Sequence, residues 1–376
     1  MWSSQRYLQE GQAKNRPLNV LRAAIAQIAY SQNHRPPLPA ILTLGHLAQR
    51  TGVGFQSLRG FVSRTANQPY RKFSIRKRSG GLRRICVPSQ TLMTVQKWIE
   101  RFVLSNLEVH SASHAFRRGS SIVRCAEQHC GARWLVKMDI ADFFGSITEI
   151  QIYRVFRKLG YVPLVAFELA RLCTDVPTSS NKHRLIAWKT LRKRKGIKAY
   201  SNPYLGRLPQ GAPSSPMLAN LAMMEMDVKI SQLASKYGLT YTRYSDDLTF
   251  STKNEFSRAK STEVIREVAL LLKSKGLYPN NKKTAVIPPG ARKVVLGLLV
   301  DGDVPRLSRE FRDRMRQHLY YLETLGIQTH VDARGFDSVG GFYRHFGGLI
   351  DYANMVNPQY AAAIKARFTS LPWTGM

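Results

Sequence analysis

Acidic residues are scarce in this chain. Its 24 Asp and Glu stand against 57 Lys and Arg, a formal charge of +33 over 376 residues. Such an excess says little about fold, but it disfavours cationic partners and favours polyanions such as nucleic acid or an anionic membrane face. Long apolar runs are also missing. The run VVLGLLV at 294–300 is among the longest and falls far short of the ~20 residues needed to span a bilayer, so nucleic acid is the better expectation and no membrane partner is expected. The opening MWSSQRYLQEGQAKNRP has no apolar segment of signal-peptide type, which gives the expectation of a cytoplasmic protein. Cysteines are few: Cys86, Cys125, Cys130 and Cys173 form no paired framework and suit a reducing compartment. Cys125, His129 and Cys130 lie close together but lack the C-x2-C spacing of a zinc site, so buried thiols are expected. Internal repeats and low-complexity segments are absent as well.

What is present is enough apolar residue, 44%, to build cores for two or three packed subregions. Residues 17–70 read as helical. Within them, LTLGHLAQRTGVGFQSLRGFV (42–62) has helical apolar spacing around a Thr-Gly break, like a helix-turn-helix, although two ordinary packed helices give the same pattern. FSIRKRSGGLRRICVP (73–88) reads as a hairpin around a basic Ser-Gly-Gly turn, followed by a helix at about 89–107. WLVKMDI (134–140) reads as an apolar strand. The stretch from about 178 to 207 is polar and very basic and reads as a surface insertion; Arg192, Lys193, Arg194 and Lys195 in it are candidate nucleic-acid contacts. From Arg306 onward the pattern is helical again.

The chemistry lies in the acids that this basic chain does contain. Asp139 ends the strand in VKMDIADFFGSI, where an acid is costly unless it is paired or exposed at a site. Asp246 and Asp247 sit in YTRYSDDLTFS, with LTYTRY and LTFS expected to pair as strands and Ser245, Asp246 and Asp247 at the tip. A carboxylate pair on a hairpin beside a strand-borne Asp is a donor set for hard cations such as Mg²⁺. An isolated Asp-Asp is usually a hydrophilic turn, but this one is not isolated. DIADFF and LPQGAPSSPMLAN (208–220) precede YSDDLTFS, and GLYPNNKKTAV (276–286) follows it.

In that order, these segments resemble the consecutive motifs of reverse transcriptases, and in detail those of bacterial retrons, over about residues 40–365. The resemblance implies an α+β right-hand polymerase fold with fingers, a palm built on an antiparallel sheet flanked by helices, and a helical thumb. Its implied boundaries are an N-terminal helical region at 1–70, fingers at 71–133, a palm at 134–300 interrupted by the basic insertion, and a thumb at 301–376. It implies Asp139, Asp246 and Asp247 as catalytic metal ligands for two Mg²⁺ ions, with Mn²⁺ as the alternative. Phe144 matches the aromatic that excludes a ribose 2′-OH. Gln210 and Gly211 match the turn that meets the incoming nucleotide. Lys77 and Arg83 match the cations that grip its triphosphate, and Lys283, ahead of its neighbour Lys282, matches the lysine near the departing pyrophosphate. The expected activity is RNA-directed DNA synthesis on a structured non-coding RNA, primed from an internal guanosine 2′-OH and giving branched msDNA. Expected partners are that RNA with its cDNA, dNTPs, and a separate effector protein in an anti-phage defence system.

The sequence departs from the retron pattern at three places. Cys125-Ala126-Glu127-Gln128-His129 stands where Asn-Ala-x-x-His is usual. Val295-Leu296-Gly297 stands where Val-Thr-Gly is usual, and Ser245 replaces Ala in the Asp-Asp hairpin. The first two bear on RNA specificity rather than on polymerase chemistry. Alternative readings are an abortive-infection or intron-type reverse transcriptase, or a non-catalytic RNA-binding scaffold. An RNA-dependent RNA polymerase is disfavoured by Phe144.

Overall fold

The computed structural model describes residues 3–76, 80–176 and 204–373. Helices α1 (Ser4–Ala13), α2 (Leu18–Asn33), α3 (Leu44–Thr51) and α4 (Phe55–Ser63) open the chain. Strands β1 (Tyr70–Arg76) and β2 (Leu82–Pro88) follow, then α5 (Gln90–Ile99), which runs on into a π-helical turn at Glu100–Leu104. Next come α6 (Ile122–Glu127), β3 (Trp134–Asp139), α7 (Phe143–Ser146), α8 (Glu149–Lys158) and α9 (Pro163–Leu172). After the insertion lie α10 (Ser215–Lys236), β4 (Thr240–Tyr244), β5 (Asp247–Thr252), α11 (Arg258–Lys273) and β6 (Ala285–Ile287). Three short strands, β7 (Val294–Val295), β8 (Leu298–Leu299) and β9 (Arg306–Leu307), lead to α12 (Arg309–Thr324), α13 (Ile327–Ala333), α14 (Val339–Val356) and α15 (Pro358–Thr369).

Local chemistry accounts for many of these boundaries. Thr148 caps α8 in a full capping box with Gln151, which satisfies backbone donors at both partners. Ser3, Thr43, Ser121, Ser308, Ser338 and Asn357 cap their helices with a side-chain oxygen in the same way. Gly52, at φ +68°, ends α3 in the left-handed conformation that glycine adopts without penalty. The α3–α4 pair, which has helix-turn-helix spacing in sequence, buries Leu44, Leu47, Leu58 and Val62.

By contact density the chain divides into two units, each discontinuous in sequence. The first comprises Met1–Gly119, Ile140–Ile230 and Ala269–Asn280. It contains the β1–β2 hairpin, whose antiparallel register runs from Tyr70 opposite Pro88 to Arg76 opposite Leu82. The second comprises Ser120–Asp139, Ser231–Val268 and Asn281–Met376. Its main sheet is antiparallel throughout, in the order β4-β5-β3-β6. The central strands are apolar and covered: Leu135, Val136, Leu248 and Phe250 are all but inaccessible, and Tyr241 stacks on Phe250 at 5.0 Å. A helical core of Met315, Leu319, Phe342, Phe346 and Phe368 belongs to this same unit. The strand–helix content is α+β, as the motif order leads one to expect.

Candidate active site

In the second unit, the register of the main sheet brings the acids together. β3 and β5 pair so that Asp139 stands directly opposite Asp247, which sets their Cα atoms about 4.5–5.5 Å apart. Tyr244 pairs with Asp247 across the β4–β5 hairpin, so the turn is the two residues Ser245 and Asp246. Asp247 therefore begins a strand rather than sitting at the tip. A two-residue connection suits the right-handed twist of its flanking strands when its first residue has positive φ; Ser245 supplies it at +60°. Arg243, fully buried, donates from Nη1 to the Ser245 carbonyl at 3.1 Å and ties the turn down from within.

The acids differ in setting. Asp139 is 3% exposed, and its Oδ2 accepts from Lys283 Nζ at 2.6 Å. Asp246 and Asp247 are half-buried. Burial, followed by the neighbouring Asp246 and then Asp139, holds the Asp247 carboxyl above the ordinary carboxylate range, against the opposing pull of Lys137 and Lys283. The hydrogen bond to Asp139 raises the Lys283 ammonium, helped by the charges of Asp139, Asp246 and Asp247. Like charges packed this closely against one another call for a cation. Among the described residues no group of three or more ligating side chains is gathered at metal-holding spacing. The donor set nevertheless fits a hard divalent ion: every donor is a carboxylate oxygen, and Lys283 already serves Asp139 as a positive counter-charge.

Beneath the hairpin lies a polar staple. His129 is fully buried, with Nδ1 2.7 Å from Ser251 Oγ on β5 and Nε2 2.7 Å from Thr242 Oγ1 on β4. Cys125 Sγ donates to that same Thr242 hydroxyl at 3.4 Å. Cys125, where Asn is usual, is thus a donor to β4, and as a thiol a weak one.

The first unit holds Arg83, Phe144, Gln210 and Gly211. Phe144 and Gly211 line one cavity of about 420 Å³, together with Met93, Phe116, Ala212 and Pro213. Gly211 sits at φ +114°, and an added Cβ there would come within 3.0 Å of Ile85 and 3.2 Å of the Cys86 carbonyl, so the turn and β2 approach as closely as they do only because the residue is Gly. The Gln210 carbonyl accepts from Cys86 N at 2.7 Å, joining this turn to the strand that carries Arg83. Arg83 is exposed. Lys77 and Arg192 to Lys195 lie outside the described residues. Sequence reading missed Phe116, whose ring lies 6.2 Å from that of Phe144. Its signal was faint: one Phe before Arg117-Arg118-Gly119, and a left-handed φ of +59° that only the structure reveals.

Comparison with known proteins gives this arrangement its class. A family model described as reverse transcriptase (RNA-dependent DNA polymerase) matches residues 75–297. The chain is a reverse transcriptase of the right-hand polymerase fold, an RNA-directed DNA polymerase whose partners are an RNA template and dNTPs. The retron Mx65 reverse transcriptase of Myxococcus xanthus is 33% identical over 362 residues, covering 94% of this chain and 76% of that one. The retron Mx162 reverse transcriptase of the same organism is 33% identical over 343 residues, covering 87% of this chain and 67% of that one. The retron Ec86 reverse transcriptase of Escherichia coli is 30% identical over 287 residues, covering 76% and 79%. The chain belongs to the retron reverse transcriptases. Among the described residues, no helix is long and apolar enough to cross a membrane.

Proposed function

We propose that Asp139, Asp246 and Asp247 are the catalytic acids, and that this enzyme copies a structured non-coding RNA from an internal guanosine 2′-OH into branched msDNA. The observation that carries the catalytic assignment is the facing pair of Asp139 and Asp247, with Lys283 held on Asp139 at 2.6 Å. Two divalent ions, Mg²⁺ or Mn²⁺, supply Lewis-acid activation of the attacking hydroxyl and charge neutralisation at the phosphates when bound. The three carboxylates hold them. Phe144 lies under the sugar and rejects a 2′-OH on steric grounds. Gln210 and Gly211 meet the nucleotide, Lys77 and Arg83 grip the triphosphate, and Lys283 meets the departing pyrophosphate. Basic residues of the insertion, Arg192 to Lys195, hold RNA phosphates. In this reading the fingers span 71–133, the palm 134–300 and the thumb 301–376. A separate effector protein completes an anti-phage system.

The test is extension of a primed RNA by purified protein with dNTPs and Mg²⁺. Asp246→Asn is expected to abolish incorporation while RNA affinity stays within about twofold. An active variant would refute the acid assignment. Nucleic acid that co-purifies with the protein, sequenced with and without debranching treatment, tests the priming. Linear cDNA with no attached RNA would overturn the branched product.

A further inference from the structure

Three segments of the first unit meet at Arg207, three residues before Gln210. Its backbone exchanges hydrogen bonds with Asp175, at 2.9 Å and 2.8 Å. On the other side, Leu208 N donates to Ile147 O at 3.1 Å, and Glu149 N donates to Gly206 O at 2.8 Å. The chain entering the nucleotide turn is therefore threaded between Asp175 and the segment just after Phe144. The Arg207 side chain adds a link of its own: Nη1 donates to Ser146 O at 3.2 Å and to Gly145 O at 3.4 Å. Those are carbonyls of α7, the single turn that carries Phe144.

A buried ion network sets this junction. Glu149, 5% exposed, accepts from Arg64 Nη2 at 2.9 Å, Arg171 Nε at 3.1 Å and Gly206 N at 3.1 Å. Arg64 also bonds the carbonyl and hydroxyl of Thr174. Gly206 leaves no room: a Cβ there would come within 2.4 Å of Thr174 Oγ1, 2.6 Å of Arg64 Nη2 and 2.7 Å of Glu149 Oε2. Lys72 on β1 closes on Asp175 at 2.6 Å, which adds the fingers hairpin to the same junction. A carboxylate buried between two guanidiniums tolerates little displacement, because moving it uncouples several charged hydrogen bonds together.

We infer that Arg207, seated by the Glu149 network, is a positioning residue for sugar selection: its guanidinium fixes the turn carrying Phe144 relative to the Gln210–Gly211 turn. The inference rests on the reading of Phe144 as the sugar-sensing ring. Arg207 acts through the backbone of Gly145 and Ser146 and touches no substrate. Its own backbone bonds do not depend on its side chain, so side-chain substitution isolates the link.

The experiment measures kcat and KM for one dNTP and its matching rNTP on a primed RNA, for Arg207→Met, Arg207→Lys, Phe144→Ala and the Phe144→Ala/Arg207→Met double variant. Arg207→Met is expected to lower discrimination against rNTP on the order of tenfold, mainly through a lower rNTP KM, with RNA affinity unchanged. Arg207→Lys, which keeps one donor and the charge but loses the fork, should fall between Arg207→Met and the parent. In the Phe144→Ala background Arg207→Met should add no further loss of discrimination, because the ring it positions is gone. A purely structural role would lower kcat equally for both sugars, and that result overturns the inference. Relaxed selectivity in Phe144→Ala with unchanged selectivity in Arg207→Met overturns it too. Unchanged selectivity in Phe144→Ala would instead refute the reading of the ring. Should Arg207→Met not fold, Arg207→Lys decides: parent-like discrimination overturns the inference, and reduced discrimination supports it.

Discussion

Lys283→Met removes a cation bonded to the buried Asp139 while keeping the length of the side chain. At 2.6 Å the Coulomb energy of such a pair is about 1.6 kcal/mol at the dielectric of water and about 6 kcal/mol at an effective value of 20. Asp139 is enclosed, but the Lys283 side chain is 55% exposed, so solvent screens the pair and the lower figure governs. The variant should therefore unfold with about 1–2 kcal/mol less free energy in buffer free of divalent ions. The loss is not symmetric with respect to Mg²⁺. If the acids hold an ion as proposed, in the parent protein it must displace Nζ from Asp139; in the variant that competitor is gone, and the three acids repel one another more strongly. The Mg²⁺ concentration that half-saturates thermal stabilisation should accordingly fall by about 5–30-fold, the same free energy expressed as a binding ratio.

The assay is a thermal melt of RNA-free protein over a Mg²⁺ titration, with Ca²⁺ as a non-catalytic control. The pH dependence carries a sign. Lys283 has a folded-state pKa raised above its ordinary 10.5, through Asp139 first. Its contribution is therefore complete below about 10.5 and is lost as pH rises through the raised value. The stability gap between parent and variant should hold steady from pH 6 to 9 and close only beyond that. An unchanged or higher half-saturating Mg²⁺ concentration in Lys283→Met would refute the reasoning, because it would mean that the lysine and the ion do not compete for Asp139.

Asp247→Asn should stabilise the protein at neutral pH while abolishing synthesis. The folded-state pKa of Asp247 is raised by burial and then by Asp246 and Asp139, so the ionised form carries a folding cost that is absent below about pH 3.8 and grows as pH rises through the raised value; urea unfolding at pH 7 and pH 3 reads both ends. Phe346→Ala removes a fully buried ring packed 4.7 Å from Phe368 and 6.0 Å from Phe342, and should cost about 3–5 kcal/mol in denaturant unfolding; a cost below 1 kcal/mol would show that this core is loosely packed. Replacing Arg192, Lys193, Arg194 and Lys195 by Gln should lower the slope of log affinity against log salt by about 2–3 for single-stranded RNA. An unchanged slope would remove the insertion from the RNA contact.

The acids were legible in sequence because their signals are local. Alternating strands around Asp246, an apolar strand ending in Asp139 and the LPQG turn all repeat within a few residues what the sheet needs. Register was not legible to the residue: the turn is Ser245 and Asp246 alone, and that one-residue difference is what sets Asp247 opposite Asp139. Nothing local to the sequence marks Arg243 as buried either: its guanidinium holds the turn carbonyl from inside because the residues around it on β4 and β5 are buried too. The Glu149 junction had no local signature, because its partners Arg64, Arg171 with Thr174, and Gly206 come from three separated stretches that only the fold gathers. The division into two units was hidden likewise, since each is assembled from three pieces of chain.

Seen together, the two kinds of charge in this protein divide the labour. Of the few acids, one group is left mutually repelling at a hairpin, where the repulsion makes a cation welcome. Glu149, by contrast, is saturated by two arginines and a backbone amide, and burial, which alone would raise its pKa, is outweighed so that its carboxyl stays below the ordinary range. Frustrated acids suit binding and satisfied acids suit geometry. That contrast, rather than the count of carboxylates, separates the residues expected to meet an ion from those expected to hold the nucleotide turn in place.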